Sequence, residues 1–157
     1  MIVMTRIDYR LIHGQVAFTW TNNLSANALL IANDSVAQDN FRKKTLQLAK
    51  PDSAKLIFKS IADSAKAIAS GVTDKYRVFI IVENIGDAYR LAKLVPQIKV
   101  IDLGLANKKA GAQNIAKSVY VTPEETAQLQ ELEQRGIQVL VKQAPTDPDT
   151  TFSSLIK

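Results

Sequence analysis

The sequence predicts an α/β protein built on a single open, twisted and mainly parallel sheet, of about seven strands, with helices on both faces. Three observations predict it. Short β-branched apolar runs alternate along the chain with stretches of helical spacing. Some of these runs, Ala28–Ala32 and Val78–Val82 above all, are apolar at every position, as strands buried on both sides are. Aromatic residues make up only 6% of the 157, so aliphatic side chains must fill the core, which suits this class better than a β-sandwich. The length suits one domain spanning residues 1–157.

Each element has its own signal. Ile2–Ile7 is β-branched and reads as the first strand, and Gly14–Asn22 begins a short helix. Ala28–Ala32 is the second strand. Val36–Ala49 reads as one helix, with Phe41, Leu46, Leu48 and Ala49 as a partial apolar face and Pro51 behind its end. Lys55–Phe58 is a short strand, and Ile61–Ala69 is an Ala-rich helix that Gly71 stops. Arg77–Val82 is the clearest buried strand, Ile85–Leu94 a helix before Pro96, Ile98–Leu103 a further strand and Val119–Val121 a short one. Thr122-Pro-Glu-Glu is a helix start: Thr122 caps, Pro123 fits the first helical position and Glu125 completes a capping box. That helix runs to about Arg135, Gly136 ends it, and Ile137–Val141 is the last strand. Ala144–Asp149, with Pro145 and Pro148, is a loop, and Phe152–Ile156 docks as a turn or short helix.

Composition excludes several chemistries. The chain has no cysteine and one histidine, so disulfides, thiol nucleophiles, Cys-based metal sites and multi-histidine zinc sites are all ruled out. No metal and no cofactor is expected. Twenty Lys and Arg against 15 Asp and Glu give a net charge of +5. The basic residues are scattered among acidic ones, and the only Lys pairs are Lys43–Lys44 and Lys108–Lys109, which describes a solvated surface rather than a nucleic-acid interface. Such a surface suits an acidic partner, a phosphorylated group or the cytoplasmic face of a membrane. Apolar runs fall far short of the roughly 18–20 residues of a span, and the N-terminus lacks a signal-peptide pattern; a cytoplasmic protein is expected.

In open parallel sheets, sites lie beyond the carboxyl ends of the strands. The segments to watch are therefore Asp8–Gln15, Asn33–Ser35, Glu83–Gly86 and Gly104–Gly111. The last of these, with Lys108–Lys109, matches no phosphate-loop pattern. The first carries Arg6-Ile-Asp-Tyr-Arg-Leu-Ile-His-Gly-Gln-Val16, with the sole His between a strand and a helix. A neutral imidazole is a nucleophile near neutral pH. Arg10 can fork onto phosphoryl oxygens, and Gly14 with the N–H groups at the helix start can receive an anion. The same residues fit a plainer role: Arg6 and Arg10 as ion-pair partners of Asp8 and Asp34, and His13 as a surface residue at a helix start. Spacing alone favours that plainer role.

The string Arg6-Ile-Asp-x-Arg-Leu-Ile-His-Gly-Gln-Val16 resembles the signature of the IIB components of the mannose/fructose/sorbose family of the bacterial phosphoenolpyruvate-dependent sugar phosphotransferase system. Trp20, Ala32–Asp39, Leu48–Pro51, Asp102–Leu105, Gly136 and Pro145-x-Asp147 extend the resemblance over nearly the whole chain. Tyr9 stands where Asp is common and Asp102 where Asn is usual, which bears on subtype more than on activity.

The resemblance implies that His13 takes a phosphoryl group, through Nδ1, from a phosphohistidine on a IIA component. His13 then passes it to a sugar entering through the membrane components IIC and IID, which holds the protein at the inner face of the membrane. It also implies an open, mainly parallel seven-stranded sheet, and it is compatible with a homodimer. Met1 directly before the first strand favours a separate chain over a IIA fusion. Arg10 is the first expectation for binding the phosphoryl oxygens and Arg6 the second, with backbone amides at Gly14 and Gln15 helping. Asp8 is expected to orient the loop or to pair with an arginine. Asp34 is expected either to reach the site or to cap the helix that follows it.

Overall fold

The computed structural model describes residues 1–156. The chain begins with strand β1 (Ile2–Asp8), helix α1 (Gly14–Leu24), strand β2 (Ala28–Ala32) and helices α2 (Asp34–Ala37) and α3 (Asn40–Gln47). Strand β3 (Lys55–Lys59), helix α4 (Ile61–Ala69), strand β4 (Val78–Val82), helix α5 (Ile85–Leu94) and strand β5 (Val100–Leu105) follow. The chain closes with β6 (Gln113–Ala116), β7 (Val119–Val121), α6 (Pro123–Gln134), β8 (Gln138–Leu140) and α7 (Phe152–Leu155). Six strands form one sheet in the order β3-β2-β4-β1-β5-β8, parallel throughout.

Alternation along the strands divides the core in two. Leu29, Ile31, Phe79 and Ile81 point to one face, where they meet Ala17 and Trp20 of α1 and Leu46 of α3. Ala28, Leu30, Val78, Ile80 and Val82 point to the other, against Ile61 and Ile68 of α4, Leu91 of α5 and Leu129 and Leu132 of α6. The helix leaving β1 thus covers one face and the helix leaving its neighbour β4 covers the opposite one. The carboxyl ends of β1 and β4 flank a topological switch point, where open parallel sheets leave a crevice.

The mainly parallel sheet with helices on both faces is the expected architecture, and two local readings change within it. The single helix expected over Val36–Ala49 is two short helices. The Asn33 side chain accepts the Val36 N–H at 3.0 Å and starts α2, and the Asp39 side chain accepts the Arg42 N–H at 3.0 Å and starts α3. The second cap breaks the apolar period, which leaves Phe41 and Leu48 exposed. Val119–Val121 pairs antiparallel with Gln113–Ala116, a strand absent from the sequence reading; it is linked to the end of β5 by the bridge Ala106–Val119, and Val119 and Val121 join the core on that face of the main sheet. The hairpin escaped notice because its turn places Ser118, not glycine, at a left-handed φ of 59°.

The capping box at α6 forms as the sequence indicates. Thr122 Oγ1 accepts the Glu125 N–H at 3.1 Å, and Glu125 Oε1 accepts the Thr122 N–H at 3.0 Å. Thr122→Ala is expected to cost about 1 kcal/mol of unfolding free energy in urea titration. In contrast, the Ser64 hydroxyl in α4 is buried with no hydrogen-bond partner. Ser64→Ala is expected to raise stability by about 0.5 kcal/mol or more in the same titration, because it removes an unsatisfied polar group and improves helix propensity.

Candidate functional site

The loop between β1 and α1 begins at the switch point. Asp8 ends β1 and folds the chain back on itself: its Oδ1 accepts the Arg10 N–H at 2.9 Å, and its carbonyl accepts the Leu11 N–H at 2.9 Å. Leu11 takes a left-handed φ of 62°, a conformation unfavourable for a branched side chain. Burial holds it there, because Leu11 and Ile12 both insert into the core beside Trp20. The anchor delivers His13 to the surface at the N-cap of α1, with extended backbone (φ −136°, ψ 95°) and a side chain that caps nothing.

Gly14 follows at φ +36°, with nothing near the position a Cβ would occupy. Glycine is required there by conformation, not by crowding. The N–H groups of Gly14 and Gln15 open the 11-residue helix α1, and no acidic side chain sits in its first turn. His13, Gly14 and Gln15 are all exposed.

Arg10 is 30% exposed and turns its Nε toward Asp8 Oδ1 at 3.5 Å. That edge-on contact leaves the two Nη groups of the guanidinium outside the bond. Asp8 therefore orients the loop and pairs with an arginine at once, so the two roles expected of it are one.

Arg6 departs from its expected place. It is 2% exposed, and its guanidinium pairs with Asp102 on β5, donates to the Lys142 carbonyl at 3.0 Å and lies 3.9 Å from Asp8 Oδ2. The Trp20 ring covers it at 4.9 Å. Space for it comes from β5. The register with β1 skips Gly104, Ile7 facing Leu103 and Asp8 facing Leu105, and a Cβ at 104 would collide with the Arg6 guanidinium.

Asp102 also accepts the Lys142 N–H at 2.8 Å. Burial pushes its carboxyl up to about 6, while the Arg6 guanidinium and the Lys142 N–H pull the other way. Trp20 Nε1 donates to the Gln143 carbonyl at 3.1 Å, and Gln143 Nε2 donates to the carbonyls of Gly104 at 2.6 Å and Lys117 at 3.0 Å.

Asp34 is directed elsewhere. It accepts the Ile61 N–H at 2.8 Å and pairs with Arg90 at 3.2 Å, and these contacts hold its carboxyl below its ordinary value, the Ile61 N–H most of all. It does not cap α2, which Asn33 starts, but holds the first N–H of α4 instead, and among the described residues its side chain bonds only to Ile61 and Arg90, not to the β1–α1 loop. A cleft of about 320 Å³ lies beside the loop across the ends of β1, β4 and β5, bordered by Tyr9, Glu83, Asn84, Asn107 and Lys108. Three of the four segments singled out at strand ends thus meet at this edge. Sequence reasoning missed the roles of Lys142 and Gln143, for which no local signal exists. The departure at Asp102 was visible, but its partner was not.

The sequence matches the family model of the PTS system sorbose subfamily IIB component over residues 2–157. This chain belongs to that family. The sorbose-specific EIIB component of Lacticaseibacillus casei is 31% identical, over 99% of this chain and 95% of its own. The mannose-specific EIIAB component of Escherichia coli K12 is 32% identical over 99% of this chain, which spans 48% of that longer protein. Among solved structures, the IIB domain of the sorbose permease from Klebsiella pneumoniae superposes with a TM-score of 0.93 at 26% identity, covering 99% of this chain and 96% of that one. The N-acetylgalactosamine-specific IIB component 1 of Escherichia coli does so with a TM-score of 0.90 at 27% identity, over 97% and 99%. As a sorbose-subfamily IIB component, the chain takes part in sugar phosphotransfer alongside other components of the phosphotransferase system. Among the described residues, no helix is long and apolar enough to cross a membrane.

Gly104→Ala tests the packing under the loop. The added methyl group must expel the guanidinium from its slot, and the variant is expected to lose about 2–4 kcal/mol of unfolding free energy in denaturant titration.

Proposed function

We propose that His13 is the phosphoryl acceptor and donor of this IIB component. The observation that carries the proposal is the placement of the chain's sole histidine. Its imidazole is exposed and caps nothing, at the mouth of a helix with no acid in its first turn, and Arg10 stands in the same loop. His13 attacks the phosphorus of a phosphohistidine on a IIA partner in line. The bond from phosphorus to His13 forms as the bond to the donor histidine breaks. In the second transfer a sugar hydroxyl oxygen attacks the phosphorus, the bond to His13 breaks, and the hydroxyl proton ends on the departing imidazole, which restores neutral His13.

The Arg10 Nη groups and the N–H groups of Gly14 and Gln15 receive the phosphoryl oxygens as charge shifts between donor and acceptor. A buried acceptor could not meet a partner's histidine, so the exposure of His13 suits a group handed from protein to protein. The IIA component is supported as the donor by the mannose-specific EIIAB relative, whose name joins the two components. IIC and IID are the proposed route of sugar entry, and docking on them places this protein at the cytoplasmic face of the membrane. The relatives are named for sorbose, fructose, mannose and N-acetylgalactosamine, a spread that assigns no single sugar to this chain.

Incubation with phosphoenolpyruvate, the general phosphotransferase proteins and a IIA protein is expected to put acid-labile, base-stable phosphate on the chain. His13→Ala is expected to reduce the label to background, and label that persists would remove the role given to His13. Arg10→Ala is expected to slow transfer about a hundredfold in rapid-quench measurements.

A further inference from the structure

We infer that Arg6 is a positioning residue for phosphoryl transfer, acting on Arg10 through the carboxylate of Asp8 rather than touching the phosphoryl group itself. The inference rests on the proposed roles of His13 and Arg10. Its starting point is a count of charges under the loop. Asp8 and Asp102 are both buried, and the guanidinium of Arg6 lies between them with 2% exposure. No solvent screens this group, so a separation of 3.9 Å between Arg6 Nη2 and Asp8 Oδ2 is a strong interaction, unlike the same distance at a surface.

The two oxygens of Asp8 divide the work. Oδ2 faces Arg6, while Oδ1 holds both the backbone N–H and the Nε of Arg10. The carboxylate therefore cannot rotate about its own axis without giving up one arginine or the other. Arg6 cannot move either. It is fixed by Asp102 and the Lys142 carbonyl on one side, Trp20 on another, and the bare backbone of Gly104 beneath. Rigidity passes from the sheet, through Arg6, to the oxygen that sets the position of Arg10.

The loop needs such an external hold. Leu11, two residues before His13, carries a positive φ that its side chain disfavours, and Gly14 brings a flexible residue directly after it, so the local backbone does not hold the loop by itself. Core burial of Leu11 and Ile12 fixes the His13 end of the loop. At the Arg10 end the Leu105 carbonyl takes the Tyr9 N–H, and Asp8 holds both the N–H and the side chain of Arg10; an arginine displaced by about 1 Å is enough to lose much of its effect on a transfer reaction.

Arg10 and Arg6 therefore form a testable pair. Arg6→Lys keeps the positive charge and loses the fork that reaches Asp8, Asp102 and the Lys142 carbonyl together. It is expected to lower the rate constant for transfer from saturating phospho-IIA about tenfold, with the half-saturating concentration unchanged. In an Arg10→Ala background the same substitution is expected to change the rate less than about twofold, because the residue through which it acts is gone. A merely structural Arg6 would impose the same fold-loss in both backgrounds, and that result would overturn the inference, as would an unchanged rate in Arg6→Lys.

Asp102→Asn, which removes the charge that anchors Arg6 without touching Asp8 or Arg10, runs the same cycle should Arg6→Lys fail to fold. The two levels separate cleanly. Label on His13→Ala overturns the assignment of the acceptor, whereas additive losses with an inert His13→Ala overturn only the role of Arg6.

Discussion

A guanidinium buried in the middle of a parallel sheet is the constraint around which this molecule is arranged. Arg6 sits on β1, between β4 and β5, where apolar side chains fill most other positions. An unpaired charge there would cost many kcal/mol. The surroundings answer that cost one feature at a time. Asp102 supplies the opposite charge, the Lys142 carbonyl a further acceptor, and Trp20 an aromatic face. Gly104 supplies room, and the register shift in β5 sets that room opposite the side chain. One nitrogen, Nε, still lacks a partner, which shows how fully the packing dictates the group's position. Elements distant in sequence thereby become one structure: the first strand, the first helix, the fifth strand and the segment after β8 all close on the same side chain.

That buried pair explains how an exposed histidine can be held in a defined place. The proposed carrier role of His13 requires its reactive atom at the surface, where loops are ordinarily mobile. Here the loop is short and fixed at both ends. Asp8 holds its first half from below, and Leu11 and Ile12 pin its second half into the core. The left-handed backbone at Leu11 is tolerated because these anchors over-determine it. The rigid parts of the fold thus carry the strain that presentation of His13 creates.

The sequence was most legible where a local cause is sufficient. The apolar strands, the capping box at Thr122 and the loop containing His13 each rest on residues close together in the chain, and each is found where the sequence places it. Legibility failed where the cause is distant or quiet. The break between α2 and α3 depends on whether Asp39 caps a helix or decorates one, a choice decided by packing. The hairpin of β6 and β7 turns at a serine. Arg6 lies four residues before Arg10 and two before Asp8, so the string presents both arginines as members of one anion site. Their difference is set by Asp102, 96 residues from Arg6, and by a backbone slot at Gly104 that no motif announces.

The two arginines of the string divide a task that neither performs alone. An anion can approach only charge that faces solvent, and an arginine that faces solvent is costly to hold still because its side chain has many rotamers. Arg10 faces solvent and keeps its Nη groups outside its bond to Asp8. Arg6 faces none and balances the carboxylate that restrains Arg10. The charge count makes the division necessary. Asp8 and Asp102 buried together without Arg6 would repel each other, and Asp8 would be free to draw Arg10 inward, away from the histidine. With Arg6 between them, both side chains have a cationic neighbour and Arg10 remains at the rim. Under the proposed function, the positive charge offered to an incoming phosphoryl group is thus Arg10 and the helix start at Gly14, with the buried Arg6 keeping Arg10 in place.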